Sequence, residues 1–409
     1  MAGRVVVVGA SCAGLMAAEG LRRAGWHDEI VLLGEELGLP YDRPPLSKSF
    51  LANSEDTEIL LRQPEAFDSL NLRHLPGVSA DGVEVATRTV STDAGTFEAD
   101  GVILTTGVRA RRLEWLEHDA RVRYVRTAED GIALSRDLHG PRGTLAVLGG
   151  GPLGLETAAT AAALGWKVHL LEAGPQIMPT MLGPGLAERV ADHHRRNGIT
   201  VSTSTTVTGI DSTGLELASG EHVDMNLCVV AVGSIPNTEW LVGSEGLVID
   251  NGVVCDSYGA AAPNIYAAGD VARWTHSGFG RSIRLESRTN AVRQAMAVAK
   301  NLYCSLSGLS ESCSEYSPEP FFWSDQGALR LKAFGDLGGS VRLDLAGDGS
   351  TGLTLFGDES GVLVGFSALG LPIGVVNMLR DSMTQRRSVT ENFTELTSSH
   401  SGLAQLTPA

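Results

Sequence analysis

Two glycine clusters have a spacing that can hold phosphate. Gly9-Ala-Ser11-Cys12-Ala13-Gly14 and Gly149-Gly-Gly151-Pro152-Leu153-Gly154 each end an apolar run and open an alanine-rich stretch. In such a turn the first glycine allows the tight bend and the middle position lets backbone approach a pyrophosphate. The third glycine lets helix pack on strand. The phosphates then rest on free N–H groups at the positive end of the helix. An acidic residue after the following strand accepts hydrogen bonds from a ribose. Glu172 fills that position in the second cluster; in the first, Gly34 stands there and Glu35 and Glu36 follow at once. Ser11 departs from the pattern by replacing the middle glycine. The chemistry indicated is dinucleotide binding, twice over.

The elements that must hold these clusters form an internal repeat. Val5 to Gly14 aligns with Leu145 to Gly154, and the same register carries Gly25-Trp26 onto Gly165-Trp166 without a gap. Each copy reads as strand, glycine turn, helix and second strand, with the second strands at Ile30 to Leu33 and Val168 to Leu171. A lone glycine motif is weak, but two in-register copies define paired βαβ units. Two such sites suggest one tightly held cofactor and one that exchanges. Further apolar strands stop at glycine: Val102-Ile-Leu-Thr-Thr106-Gly107, Cys228-Val-Val-Ala-Val-Gly233 and Asn264-Ile-Tyr-Ala-Ala-Gly269-Asp270. Arg284 to Leu302 reads as a long helix with an apolar stripe. After Pro318 short alternating strands separated by Gly/Asp/Ser turns replace this pattern. Ser305 to Pro320 reads as the linker, and the small polar residues Ser398 to Ala409 as a disordered tail. The expected fold class is α/β, with two Rossmann-like domains and a C-terminal α+β domain. The expected bounds are 1–112 with 236–317, then 113–235, then 318–409.

At 409 residues the chain has room for two or three domains, and 43% hydrophobic residues supply their cores. A net charge of −16 argues against nucleic acid or an anionic membrane as partner. No run is long enough to span a bilayer, and Val5 to Cys12 is too short for a secretion signal. A cytoplasmic protein is expected. The cysteines Cys12, Cys228, Cys255, Cys304 and Cys313 include no CxxC pair, so neither a redox dithiol nor a metal site is expected.

The segment Pro40-Tyr-Asp-Arg43-Pro-Pro-Leu-Ser-Lys48 is distinctive. It resembles the signature of the FAD-dependent NADH:ferredoxin reductase family, a branch of the two-dinucleotide-fold flavoproteins with glutathione-reductase-like architecture. The resemblance spans nearly the whole chain. It takes in Gly149 to Glu156, Tyr266-Ala-Ala-Gly-Asp270 and Phe322-Trp323-Ser-Asp-Gln-Gly327, the last similar to reductases of aromatic-ring dioxygenases. It implies that the turn from Gly9 through Ser11, Cys12 and Ala13 to Gly14 holds the FAD pyrophosphate and that Glu35 and Glu36 hold its ribose. Arg43, Val78, Thr106, Gly107, Arg111, Asp270, Glu286, Ser287 and Arg288 complete the FAD set, with Lys48 near the flavin N5 edge and Trp323 covering the ring. NADH falls to Gly149, Gly151, Pro152, Leu153, Gly154, Glu172 and Gly233, with Glu156 meeting the nicotinamide amide. Lys48, Glu156 and Trp323 form the expected catalytic set. Gln176, where the family commonly has arginine, and Arg288, at an often apolar position, are departures.

The implied activity passes a hydride from NADH to FAD and then single electrons to a [2Fe-2S] ferredoxin, which serves a terminal oxygenase. A Rieske-type ferredoxin feeding an aromatic-ring dioxygenase is favoured, a cytochrome P450 system being the alternative. Glu172 repels a 2′-phosphate, so NADH is preferred over NADPH. The chain is expected as monomer or homodimer. Two rival readings stay open: a thiol-dependent NADH oxidase or disulfide reductase, and an NADH-responsive interaction protein like apoptosis-inducing factor.

Overall fold

The computed structural model describes residues 3–53, 58–346, 351–399 and 407–408. The chain forms two compact units. One comprises Met1–Arg43, Glu58–Arg109 and Ser234–Pro318; the other comprises Pro44–Thr57, Ala110–Gly233 and Glu319–Ala409.

The first unit is built on a six-stranded sheet ordered Ala260–Ala262, Ile265–Ala267, Gly101–Leu104, Arg4–Val8, Glu29–Gly34 and Leu72–Pro76. All but the outermost pairing, at Ala260–Ala262, are parallel. Val5, Val6 and Val7 are fully buried. A parallel strand covered on both faces needs an unbroken apolar run, and this one has it. The Cys12–Ala24 helix follows the first strand, and the Arg288–Leu306 helix packs beside it. That second helix starts four residues later than its periodicity predicts. The Ser287 side chain accepts from Asn290 N at 3.2 Å and makes Ser287 the N-cap.

The second unit repeats the plan in a five-stranded parallel sheet: Ile199–Ser202, Lys167–Leu171, Thr144–Leu148, Leu227–Val230 and Val122–Arg123. The registers match copy for copy. Val5 pairs with Ile30 and Gly101, and Leu145 pairs with Val168 and Leu227. The same unit carries a six-stranded antiparallel sheet ordered Phe321–Gln326, Leu329–Gly335, Leu363–Leu369, Gly352–Gly357, Val341–Ala346 and Thr407–Pro408. The Ile373–Thr384 and Val389–Ser399 helices share a core with it through Leu355, Phe366, Val376, Leu379 and Leu396. Of the tail expected to be disordered, residues 400–406 and 409 lie outside the described residues; Ser398 belongs to the last helix, and Thr407–Pro408 forms a short strand. Leu46 and Phe50 face Gly131 of the Ala128–His139 helix, where an added Cβ would meet Leu46 Cδ2 at 3.0 Å.

Among the described residues, no helix is long and apolar enough to cross a membrane.

Candidate active site

In the first unit, Gly9 ends its strand with φ +113°, a conformation L side chains rarely adopt. A Cβ on Gly14 would lie 1.9 Å from Gly9 O, so only glycine lets the helix close onto the strand. Ser11 is the N-cap residue, yet its hydroxyl makes no cap and instead accepts from Arg43 Nε at 3.3 Å. The first helical turn carries no acid. Its N–H groups therefore suit an anion. Arg43 Nη2 also donates to Glu36 Oε1 at 2.6 Å, and Tyr41 OH donates to Glu36 Oε2 at 2.5 Å. Two predicted cofactor contacts are thus ion-paired to each other. Glu35 is exposed, and Val78 N donates to Gly34 O at 2.9 Å.

The same unit holds most of the other predicted FAD residues. Thr106 Oγ1 donates to Asn237 O at 2.8 Å, and Asn237 N donates to Gly107 O at 3.0 Å. Ala13 packs at the Gly269-Asp270 turn, where a Cβ on Gly269 would lie 2.9 Å from Ala13 Cβ. Arg288 Nε donates to Asp42 Oδ1 at 2.8 Å. Glu286 Oε1 accepts from Ser234 Oγ and Arg284 Nη1, each at 2.5 Å. Ser287 is spent on its cap.

In the second unit, Gly149 has φ +104° and a Cβ on Gly154 would lie 2.1 Å from Gly149 O. Gly151 faces open space, Pro152 begins the Pro152–Ala163 helix, and half-buried Leu153 follows. No acid stands in that first turn either. Glu172 Oε2 accepts from Gly150 N and Oε1 from Gly174 N, both at 2.7 Å. The two copies differ by a reciprocal exchange. The first has Ala10 and Gly34, and a Cβ on Gly34 would fall 2.6 Å from Ala10 Cβ; the second has Gly150 and Glu172. A Cβ on Gly150 would lie 3.2 Å from Glu172 Oε2, so each copy carries a side chain at only one of the two positions. Arg111 is exposed, and its N–H donates to Gly233 O at 2.9 Å.

Lys48, Glu156 and Trp323 meet in this unit. Lys48 Nζ donates to Glu156 Oε2 at 2.6 Å and lies 5.1 Å from the centroid of the Trp323 ring. Ser47 Oγ donates to Glu156 Oε2 at 2.5 Å, and Ser324 Oγ to Oε1 at 2.7 Å. Both carboxylate oxygens of buried Glu156 are satisfied, as a buried carboxylate requires. Ser47 and Ser324 escaped assignment from sequence, although both lie inside the motifs Pro44-Pro-Leu-Ser47-Lys48 and Trp323-Ser324-Asp-Gln.

Residues 3–295 match the family model described as pyridine nucleotide-disulphide oxidoreductase. The chain belongs to that family. It is 33% identical over 357 residues to putidaredoxin reductase of Pseudomonas putida, covering 84% of this chain and 82% of the relative. It is 34% identical over 347 residues to the ferredoxin–NAD(+) reductase component of the p-cumate 2,3-dioxygenase system of Pseudomonas putida, covering 83% of each. The crystal structure of the covalent putidaredoxin reductase–putidaredoxin complex superposes with TM-score 0.86 at 30% identity, over 94% of this chain and 93% of the other.

In this member of the pyridine nucleotide-disulphide oxidoreductase family, burial disfavours the thiolate at three of the cysteines. Burial pushes the Cys12 thiol up to about 11 and the Cys228 and Cys255 thiols up to about 12. A protonated thiol is a poor nucleophile. Among the described residues, the side chains that donate to the Glu156 carboxylate are Lys48, Ser47 and Ser324, none of them a thiol.

Proposed function

We propose that this protein is an FAD-containing, NADH-dependent ferredoxin reductase working in the cytoplasm, with residues 1–112 and 236–317 as its FAD-binding domain, 113–235 as its NADH-binding domain and 318–409 as its C-terminal domain. The observation carrying this reading is the Lys48–Glu156 pair beside Trp323, a charged and aromatic cluster without sulfur. The unspent helix N-termini at Ser11 and Gly151 fit the phosphates of two dinucleotides.

Bound FAD supplies the conversion of a two-electron donor into two single-electron transfers, chemistry that belongs to the cofactor. The protein's own residues bind and orient. Gly9 to Gly14 and Arg43 hold the FAD phosphates, Glu35 and Glu36 its ribose, and Asp270 the ribityl chain. Val78, Thr106, Gly107, Arg111, Glu286, Ser287 and Arg288 line the remainder of that site. Gly149, Gly151, Pro152, Leu153, Gly154, Glu172 and Gly233 hold NADH. Glu156, pinned from three sides, keeps a fixed carboxylate for the nicotinamide amide. Lys48, paired with Glu156, would offer a cation to the flavin, and Trp323 would offer it an aromatic face.

The relatives named for putidaredoxin and for the ferredoxin of a dioxygenase system support a ferredoxin as acceptor, and the proposal takes its cluster to be [2Fe-2S]. Rieske-type ferredoxin of an aromatic-ring dioxygenase is the favoured partner, a P450 ferredoxin the second. The test is anaerobic titration with NADH followed by cytochrome c reduction with a panel of ferredoxins and a rubredoxin. Bleaching of the yellow protein and turnover that depends on added [2Fe-2S] ferredoxin are expected. A colourless protein, or turnover indifferent to the carrier, defeats the reading.

A further inference from the structure

A chain of buried side chains leads away from Glu156 to an imidazole on another helix. Ser324 and Gln326 lie two residues apart on the Phe321–Gln326 strand and so face the same side of the sheet. Gln326 Nε2 lies 3.2 Å from Ser324 Oγ, and Gln326 Oε1 lies 2.9 Å from His194 Nε2. His194 belongs to the Pro184–Arg196 helix, 132 positions from Gln326 in sequence. His194, Gln326 and Ser324 are each at most 1% exposed.

The direction of this chain is dictated by donor and acceptor count. A carboxamide oxygen only accepts, so His194 must carry its proton on Nε2. Burial holds the imidazole below its ordinary 6.5, which keeps it neutral with that single N–H. With Oε1 engaged, Gln326 turns its amide N–H groups toward Ser324 Oγ and toward Met178 Sδ, 3.5 Å away. Ser324 Oγ, having accepted, sends its own proton to Glu156 Oε1 at 2.7 Å. From His194 through Gln326 and Ser324, each successive donation runs toward the carboxylate. Glu156 then takes Lys48 and Ser47 on its other oxygen.

We propose that His194 and Gln326 are positioning residues that act through Ser324 to hold the Glu156 carboxylate in the orientation that binds the nicotinamide end of NAD(H). This rests on the reading of Glu156 given above. Neither residue is assigned a ligand by the motifs. An apolar pair could fill their volume without burying two polar groups, whose desolvation is costly unless each bond is made. What the polar pair adds is a fixed hydroxyl rotor at Ser324 and, through it, a fixed carboxylate.

The test uses flavin-loaded full-length protein and reads the Kd of NAD+ and the melting temperature, without turnover. Gln326→Glu keeps shape and the His194 bond but removes the N–H aimed at Ser324; the Ser324 proton is then drawn away from Glu156. Gln326→Glu and His194→Leu are each expected to raise the NAD+ Kd about fivefold, the worth of one ordinary hydrogen bond. Their combination should exceed neither single variant by much, because both cut the same chain. His194→Gln keeps an N–H donor and should return the Kd close to that of the parent. A Kd unchanged in Gln326→Glu, or a melting temperature that falls while Kd stays put in both variants, overturns the proposal. Should His194→Leu fail to fold, Gln326→Glu decides alone. Glu156→Gln separates the two layers. If it leaves the NAD+ Kd unaltered, the reading of Glu156 fails and takes the positioning chain with it. If it weakens binding while Gln326→Glu does not, the chain alone is wrong.

Discussion

Lys48 Nζ lies 2.6 Å from Glu156 Oε2, although 108 positions separate the two residues in sequence. The carboxylate side chain is 7% exposed and the ammonium side chain 21%, so water screens the pair only from the lysine side. Such a pair is weak evidence for stability, yet removing one partner strands the other.

Lys48→Met leaves Glu156 with two hydroxyl donors and no counter-charge. A loss of about 2 kcal/mol is expected, less than for a fully buried pair because Lys48 keeps some solvent. Ferredoxin-dependent turnover should fall as well. Chemical denaturation and steady-state kinetics on one preparation check both; full activity in this variant would remove Lys48 from the site.

The two third glycines should separate the cofactors. Gly14→Ala forces a methyl onto Gly9 O and is expected to give protein largely free of flavin, read from its visible absorbance. Gly154→Ala forces one onto Gly149 O and is expected to leave the yellow colour while raising KM for NADH by about tenfold or more, equivalent to about 1.4 kcal/mol. The reverse assignment of effects would exchange the roles of the two units.

Glu172 is held by the N–H groups of Gly150 and Gly174 and faces a nucleotide ribose in the proposed site. A negative charge fixed there repels a 2′-phosphate. The ratio of kcat/KM for NADH over NADPH should clearly exceed one, and Glu172→Ala should bring it down. Equal values in the parent protein refute the cofactor preference.

Thiol chemistry should be dispensable. With Cys12 pushed up to about 11 by burial, little thiolate exists near neutrality. Alkylation after reduction by NADH is expected to leave ferredoxin-dependent activity intact, and Cys12→Ser to behave like the parent. Inactivation that tracks labelling of Cys12 would revive a thiol-dependent oxidase.

Acid should erode one part of the stability. Burial lowers the pKa of His194 from 6.5, as it does for His74 and His169. Below the unfolded value the unfolded chain binds more protons than the native one, so stability contributed by neutral His194 is complete above about 6.5 and is lost as pH falls toward the depressed native value. His194→Gln has no such titration. The gap in melting temperature between parent and His194→Gln should therefore narrow between about pH 7 and about pH 5; a constant or widening gap counts against a buried neutral imidazole.

The glycine spacing and the ungapped repeat were enough to read two βαβ units, since a both-sides-buried parallel strand and a phosphate turn restrict residue type locally. Lys48, Glu156 and Trp323 were legible only as fragments of motifs. That they touch was not, because the Pro44–Asn53 stretch, the Pro152–Ala163 helix and the Phe321–Gln326 strand are brought together by packing rather than by spacing. The later start of the Arg288–Leu306 helix depended on one serine side chain turning back to cap it.

The chain by itself determined the repeat, the strand pattern and the kinds of group available, because backbone geometry and burial act on neighbours in sequence. Tertiary structure alone decided which groups meet. Ser47, Ser324, Gln326 and His194 are unremarkable residues until folding removes water from around Glu156, and each then has to spend its hydrogen bonds on the others.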